Sequence, residues 1–225
     1  MGRFQPAKAR KRPNVVLVAA MTLDGKIATR SGDSRISSSF DLKKLHRLRS
    51  RTDAVMIGRG TQLNDNPQLT VRHVKGRNPV RIVVDSLART SPNSRILSRG
   101  NGNTIIAVSK RAPATRVDRL GLKGARIIRC GNQRVDLRKL LTILHKLGIR
   151  HLLLEGGGKL NWSMLTEKLV DEIQVTVAPR VVGGEKAATL VEGFGAARMS
   201  DAIKLSLLKV TRNRNELVLT YRVRN

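Results

Sequence analysis

The feature that most constrains this chain is a series of short, nearly uninterrupted apolar runs. They are NVVLVAA from Asn14, DAVMIG from Asp53, VRIVVDS from Val80, TIIAVS from Thr104, ARIIRCG from Ala125, RHLLLE from Arg150 and DEIQVTVAP from Asp171. A strand with one wet face alternates apolar and polar residues, whereas a strand covered on both faces reads as a continuous apolar run. The runs therefore predict a mostly parallel sheet with helices on both sides. None approaches the ~18 apolar residues of a membrane span.

The segments between the runs supply helices. Leu42, Leu45 and Leu48 recur at helical spacing with basic residues between them, and Asp41 is the expected N-cap. Leu137, Leu140, Leu141 and Leu144 form one stripe between a capping Asp136 and a stop at Gly148. LNWSMLTEKL predicts a further helix from Leu160, while TLDGKIATRSGDS and GRGTQLNDNP read as loops. At the C-terminus KLSLLKV and ELVLTYRV, separated by TRNRN, predict an antiparallel hairpin at the end of the sheet. The expected organisation is one α/β domain over 13–225, preceded by a basic flexible tail, MGRFQPAKARKR, over 1–12.

Lys and Arg total 44 against 16 Asp and Glu, a net charge of +28, so the surface attracts polyanions. That balance keeps a nucleic-acid partner open through non-specific charge, although 2% aromatic residues argue against a stacking platform for single strands. Cys130 is the single cysteine, which excludes a disulfide framework and a cysteine-rich zinc site, fits a reducing cytosol, and reads as a buried structural thiol. His46, His73, His145 and His151 show no metal-ligand spacing, so no metal is expected. No nucleophile lies beside a recognisable base, which argues against covalent catalysis.

Three segments could carry chemistry. In LLLEGGGKLNW a carboxylate, Glu155, ends a buried strand, and Gly156, Gly157 and Gly158 lead into a helix. Glycines admit a ligand close to the backbone, and the free N–H groups of a helix start suit a phosphate or pyrophosphate; the same triplet would also serve as a plain turn. In GRGTQLNDNPQLTVR, Thr61 and Asp65 could fix a polar ring or ribose, and Arg72 could grip a phosphate with its planar fork. Surface charge accounts equally for Arg72, and an Asx turn before Pro67 for Asp65. In MTLDGKIA, Lys26 follows a turn beside the end of the first strand.

Taken in order, TLDGKIAT, HRLRS, DAVMIGRGTQLNDNPQLTVR, NPVRIVVDS, LLLEGGGKLNWSML and VDEIQVTVAPRVVGG resemble the riboflavin-biosynthesis reductase family, in its stand-alone archaeal and fungal form. The likeness runs from Pro13 to the C-terminus. It implies a dihydrofolate-reductase-like α/β fold, NADPH as hydride donor with NADH as the variant, and a homodimer. Bacterial relatives carry a fused zinc deaminase with a PCxxC signature, for which a chain with one cysteine has no place. Reduction before deamination then implies 2,5-diamino-6-ribosylamino-4(3H)-pyrimidinone 5′-phosphate as substrate. The deaminated uracil is the alternative, and a basic nucleic-acid-binding protein on a reductase fold is the rival from another class.

Carried over position by position, the resemblance implies cofactor contacts at Thr61, Asp65, Asp85, Ser86, Gly156, Gly157, Gly158, Lys159 and Leu160. It implies substrate contacts at Ser34, Arg49, Leu69, Arg72 and Glu155. Glu155, Asp65 and Lys26 are the candidates for proton transfer. The chain departs from the family pattern at Asn66, where relatives often carry a second aspartate, and at DSRIS, where bacterial members have Ser, x, Trp.

Overall fold

A computed structural model of the chain describes residues 11–98 and 103–224. Its strands are β1 (Asn14–Thr22), β2 (Ala54–Gly58), β3 (Val80–Val84), β4 (Thr104–Val108), β5 (Arg126–Arg129), β6 (His151–Leu154), β7 (Glu172–Ala178), β8 (Leu205–Asn213) and β9 (Glu216–Val223). They form one nine-stranded sheet in the order β5-β4-β3-β2-β6-β1-β7-β9-β8. Every pairing from β5 across to β7 is parallel, and β7-β9 and β9-β8 are antiparallel. A mostly parallel sheet closed by a C-terminal hairpin is thus what the apolar runs specify.

The runs are continuous because successive residues feed two cores. Val15, Leu17, Met56, Ile82, Leu152 and Leu154 face one layer, shared with Leu140, Leu141 and Leu144 of α4 (Leu137–Lys146) and Met164 of α5 (Gly158–Thr166). Val18, Val55, Ile57, Val83 and Leu153 face the other, which includes Leu120 of α3 (Ala114–Leu122). Leu45 and Leu48 of α1 (Ser39–Ser50) pack against that second layer. No helix of the described residues is long and apolar enough to cross a membrane.

Four local expectations are corrected. GRGTQLNDNP is not a loop throughout: Arg59–Asp65 form α2, with Gly58 at its N-cap and Asn66 ending it in the left-handed region at φ 40. Its glycines fall at the cap and in the first turn, where they do not interrupt the helix. Asp41 is not the N-cap of α1; Ser38 is, its hydroxyl accepting from the Asp41 N–H, so Asp41 is turned inward from the first turn and buried. The helix expected from Leu160 begins at Gly158 with Gly157 as its cap. Helix α3 was not foreseen; it is short, it begins after Pro113, and Leu120 is the one residue of it that is buried, with Val117 packed beside it. Asp136 caps α4 as expected, accepting from the Lys139 N–H at 2.9 Å.

Of the basic tail, residues 1–10 lie outside the described residues. Arg12 is held by both oxygens of Asp171 at 2.7 and 2.9 Å, which fixes this end of the expected flexible tail against the sheet.

Candidate active site

The chain enters the sheet at β1, crosses to β2, runs outward to β5, and returns as β6 into the gap between β1 and β2. A reversal of this kind leaves a crevice beyond the carboxyl ends of the strands, where open α/β sheets bind ligands. Two turns meet there. The Gly58 N–H, at the end of β2, donates to the Gly156 carbonyl, at the end of β6, at 2.7 Å. A Cβ on Gly58 would stand 3.4 Å from Leu160 Cβ, so helices α2 and α5 leave their strands side by side.

The crevice has two compartments. The outer one, about 540 Å³, is lined by Thr61, Asp65, Ser86, Gly157, Gly158, Lys159 and Leu160. The inner one, about 220 Å³, is lined by Ser34, Asp41, Arg49, Leu69 and Glu155, with apolar walls from Val18, Leu45 and Ile57. Ile27, Ser34, Thr61, Asp65 and Gly157 belong to both and form the threshold between them.

Asp65, at the end of α2, stands on that threshold and accepts from the Ser34 hydroxyl at 3.3 Å. Burial raises its carboxyl above the ordinary aspartate value, outweighing the opposite pull of that hydrogen bond. Glu155 is held differently. Arg49 Nε donates to one of its oxygens at 2.7 Å and Nη2 to the other at 2.6 Å, while Nη1 reaches the Thr70 carbonyl at 3.1 Å. Burial disfavours the Arg49 cation, but the adjoining carboxylate more than compensates and raises its pKa above the usual arginine value.

The glycine turn is tight for a visible reason. A Cβ on Gly158 would lie 2.7 Å from the Thr189 carbonyl and 2.6 Å from Glu192 Cγ, and one on Gly157 would stand 3.1 Å from Thr61 Oγ1. The left-handed residue of the triplet is Gly156, at φ +88, whereas Gly157 has φ −71. The 189–192 segment is fastened over the turn by the Glu192 N–H, which donates to the Gly158 carbonyl at 3.1 Å.

Not every expected residue reaches the crevice. Lys26 lines neither compartment; its ammonium donates to the Ala187 carbonyl at 3.3 Å. Asp85 is buried at 1% exposure behind the outer wall, where it accepts from the Thr90 N–H and hydroxyl, while its neighbour Ser86 does line the cleft and accepts from the Val135 N–H. Arg72 is exposed and folded onto Thr70 Oγ1 at 2.7 Å and Gln68 at 3.1 Å. Arg49, expected to contact substrate, does line the inner compartment, with its guanidinium on Glu155.

Other residues of the site escaped the sequence reading. Asp41 and Ser37 line the inner compartment. His46, on α1, lines neither compartment; 1% exposed, it accepts the Arg72 N–H at Nδ1 and meets His73 edge-on with ring centroids 4.5 Å apart. The available signal was position: Asp41, Leu45 and Leu48 share one helical stripe, and a carboxylate on an apolar stripe is a polar group turned toward the interior. Among the described residues no cluster of His, Cys, Asp and Glu could hold a metal.

Comparison with known proteins places this arrangement. Residues 13–219 match the RibD C-terminal domain. The 2,5-diamino-6-ribosylamino-4(3H)-pyrimidinone 5′-phosphate reductase of Methanothermobacter thermautotrophicus is 50% identical over 216 residues, covering 95% of this chain and 99% of that protein. Acinetobacter baumannii RibD superposes with a TM-score of 0.81 at 26% identity over 95% of this chain and 58% of its own. Dihydrofolate reductase of Enterococcus faecalis superposes with a TM-score of 0.53 at 13% identity, over 94% of this chain and 97% of its own, which shows the shared fold.

Proposed function

The chain belongs to the RibD C-terminal domain family, and from that premise we propose that it reduces 2,5-diamino-6-ribosylamino-4(3H)-pyrimidinone 5′-phosphate to the ribitylamino phosphate with NADPH. The observation that carries the reading is the pair of compartments joined at Asp65. A hydride transfer needs a long site for a dinucleotide and a smaller one for the acceptor, meeting at one wall, and the volumes and shared lining answer to that need.

The residues of the outer compartment fit a nicotinamide dinucleotide. Gly157 and Gly158 bring bare backbone to the start of α5, where free N–H groups and the helix dipole favour a pyrophosphate. Arg59, Arg134 and Lys159 line the same compartment and favour the phosphorylated form, NADPH, over NADH. When bound, the cofactor supplies the hydride.

The chain's own share is orientation and proton transfer. The substrate's C1′–O4′ bond must break, its ring oxygen taking a proton while the exocyclic nitrogen gives one up, to leave a neutral C1′ imine; once hydride has added to C1′, the nitrogen takes a proton back. Asp65 lines both compartments, which suits it to a proton transfer at that carbon, and burial raises its carboxyl above the ordinary aspartate value, toward the acid that such a step uses. Glu155, with both oxygens clamped by Arg49, acts as a fixed acceptor rather than a proton source. The apolar walls of the inner compartment exclude water from the imine. Arg72 lines neither compartment and is held by Thr70 and Gln68, so contact with the 5′-phosphate would require it to leave both and swing toward the crevice.

The assembly we propose is a homodimer. Leu207, Val210 and Leu217 lie exposed on the C-terminal hairpin, and the register shift between Leu207 and Lys209 sets the first two opposite Tyr221 and Leu219, on one face. That face continues the core side of β7, where Ile173 and Val175 pair with the same two residues, but on the hairpin its apolar residues stay exposed among the described residues. A second copy would cover both the apolar face and the open β8 edge.

The test of the reaction is to mix the purified protein with the diamino substrate and NADPH and follow the loss of reduced-nicotinamide absorbance. Oxidation that depends on the substrate is expected, and none with either the diamino or the deaminated compound would overturn the assignment.

A further inference from the structure

The inner compartment has an unusual charge inventory. Its lining includes the carboxylates of Asp41, Asp65 and Glu155 and a single cation, Arg49, which Glu155 already neutralises. A site so composed attracts a neutral ring rich in N–H donors and repels a phosphate. Asp65 also belongs to the cofactor side, and both oxygens of Glu155 are taken by Arg49, which leaves Asp41 as the carboxylate that lines the inner compartment only and is not clamped by a guanidinium.

Asp41 is 4% exposed, and its polar contacts are few enough to count by lone pair. One oxygen accepts from Thr176 Oγ1 at 2.6 Å and from the Lys44 ammonium at 2.9 Å. The other accepts from the Ser37 hydroxyl at 2.6 Å. With two lone pairs per oxygen, the first is saturated and the second, beside a residue that also lines the compartment, retains one acceptor position. Docking α1 onto β7 would need only the Thr176 contact. A carboxylate there carries the added cost of burying a charge, offset by Lys44.

We propose that Asp41 sets the ring specificity of the enzyme: its remaining acceptor position takes a hydrogen from the C2 amino group of the pyrimidinone, and so selects the diamino ring over the deaminated one. In the deaminated ring a C2 carbonyl stands where the amino group was, and its lone pairs would face those of a carboxylate held in place by Thr176, Lys44 and Ser37. A site built to bond a donor discriminates strongly against an analogue that lacks it, because the buried partner is left unpaired. The proposal rests on the reductase reading for its substrate class, but it concerns binding and can be read without turnover.

The experiment compares binding of 2,5,6-triaminopyrimidin-4-one and 5,6-diaminouracil, by calorimetry in the presence of NADPH, to the wild type and to Asp41→Asn. The wild type should favour the triamino ring by at least about tenfold, the value of one hydrogen bond to a charged group. Asn presents either an acceptor or a donor, so in Asp41→Asn the two affinities should converge to within about threefold. An unchanged ratio in the folded variant overturns the proposal. So does a structure of the wild type with the triamino ring seated with its C2 amine away from Asp41, a measurement that needs no variant to fold. A protein that shows the Asp41-dependent preference but oxidises no NADPH would overturn the reaction assignment and leave the recognition standing.

Discussion

Arg49 and Glu155, 106 residues apart in sequence, are joined by two parallel hydrogen bonds of 2.7 and 2.6 Å at the floor of the crevice, with each side chain less than a tenth exposed. The pair ties α1 to the end of β6 and fixes the carboxylate that we propose the substrate meets. Arg49→Met should therefore lose about 3–5 kcal/mol of stability in urea unfolding, since it leaves Glu155 buried and unpaired. The double change Arg49→Met, Glu155→Leu should recover most of that loss and none of the activity. A single Arg49→Met as stable as the wild type would show that the pair does not hold the floor.

The glycine turn gives graded outcomes. In Gly157→Ala the new Cβ meets only Thr61 Oγ1 at 3.1 Å, at a backbone angle that alanine accepts, so the fold should persist while NADPH affinity falls about tenfold in a fluorescence titration. In Gly158→Ala the Cβ meets the Thr189 carbonyl at 2.7 Å, and stability should fall by roughly 1–3 kcal/mol as the 189–192 segment is pushed away. Equal NADPH affinity in Gly157→Ala and the wild type would remove the pyrophosphate from this turn.

Asp65 sets a dependence that runs against the usual carboxylate pattern. Its folded pKa is raised by burial, so the stability it contributes is complete below the ordinary value of 3.8 and is lost as pH rises through the raised value. Turnover should fall over the same rise as the acid ionises. Asp65→Asn should remove that limb from the stability profile and lower turnover by about a hundredfold. Wild-type turnover that stays flat through this range would exclude Asp65 as the acid.

His46 has the opposite sign. Burial first, then the neighbouring Arg49, Arg72 and His73, depress its pKa from 6.5 to about 4. The stability it lends is present above 6.5 and is lost as pH falls toward about 4, where protonation breaks the Arg72 N–H contact at Nδ1. His46→Asn, which keeps an acceptor and does not titrate, should flatten the melting temperature across that window. A melting curve that keeps its acid slope in the variant would assign the slope to other groups.

The hairpin face predicts assembly. Leu207→Glu combined with Val210→Lys should convert a dimer to a monomer in sedimentation equilibrium, because two charges then stand on the exposed apolar face. A wild-type protein that sediments as a monomer would overturn the dimer.

The sequence by itself determined the architecture. Strands such as Val15–Val18 and Val55–Ile57 must satisfy two cores at once, so their apolar runs are unbroken and legible. The capping of α4 by Asp136 and the closing hairpin are equally local and were readable for that reason. The order of the motifs likewise marked the ends of β2 and β6 as the place for a ligand. Tertiary structure alone decided what each charged side chain does. The partner of Arg49 was not legible, because a basic residue on a helix says nothing of a carboxylate 106 positions away. Asp85 and Lys26 resemble site residues in sequence, yet Thr90 and the Ala187 carbonyl hold them away from the crevice. Asp41 passed for a cap because Ser38, three residues earlier, is an equally good one, and only the packing of α1 on β7 shows which of the two turns inward. Strand burial is set by neighbours along the chain, whereas a charge takes its role from whatever partner the fold brings within about 3 Å.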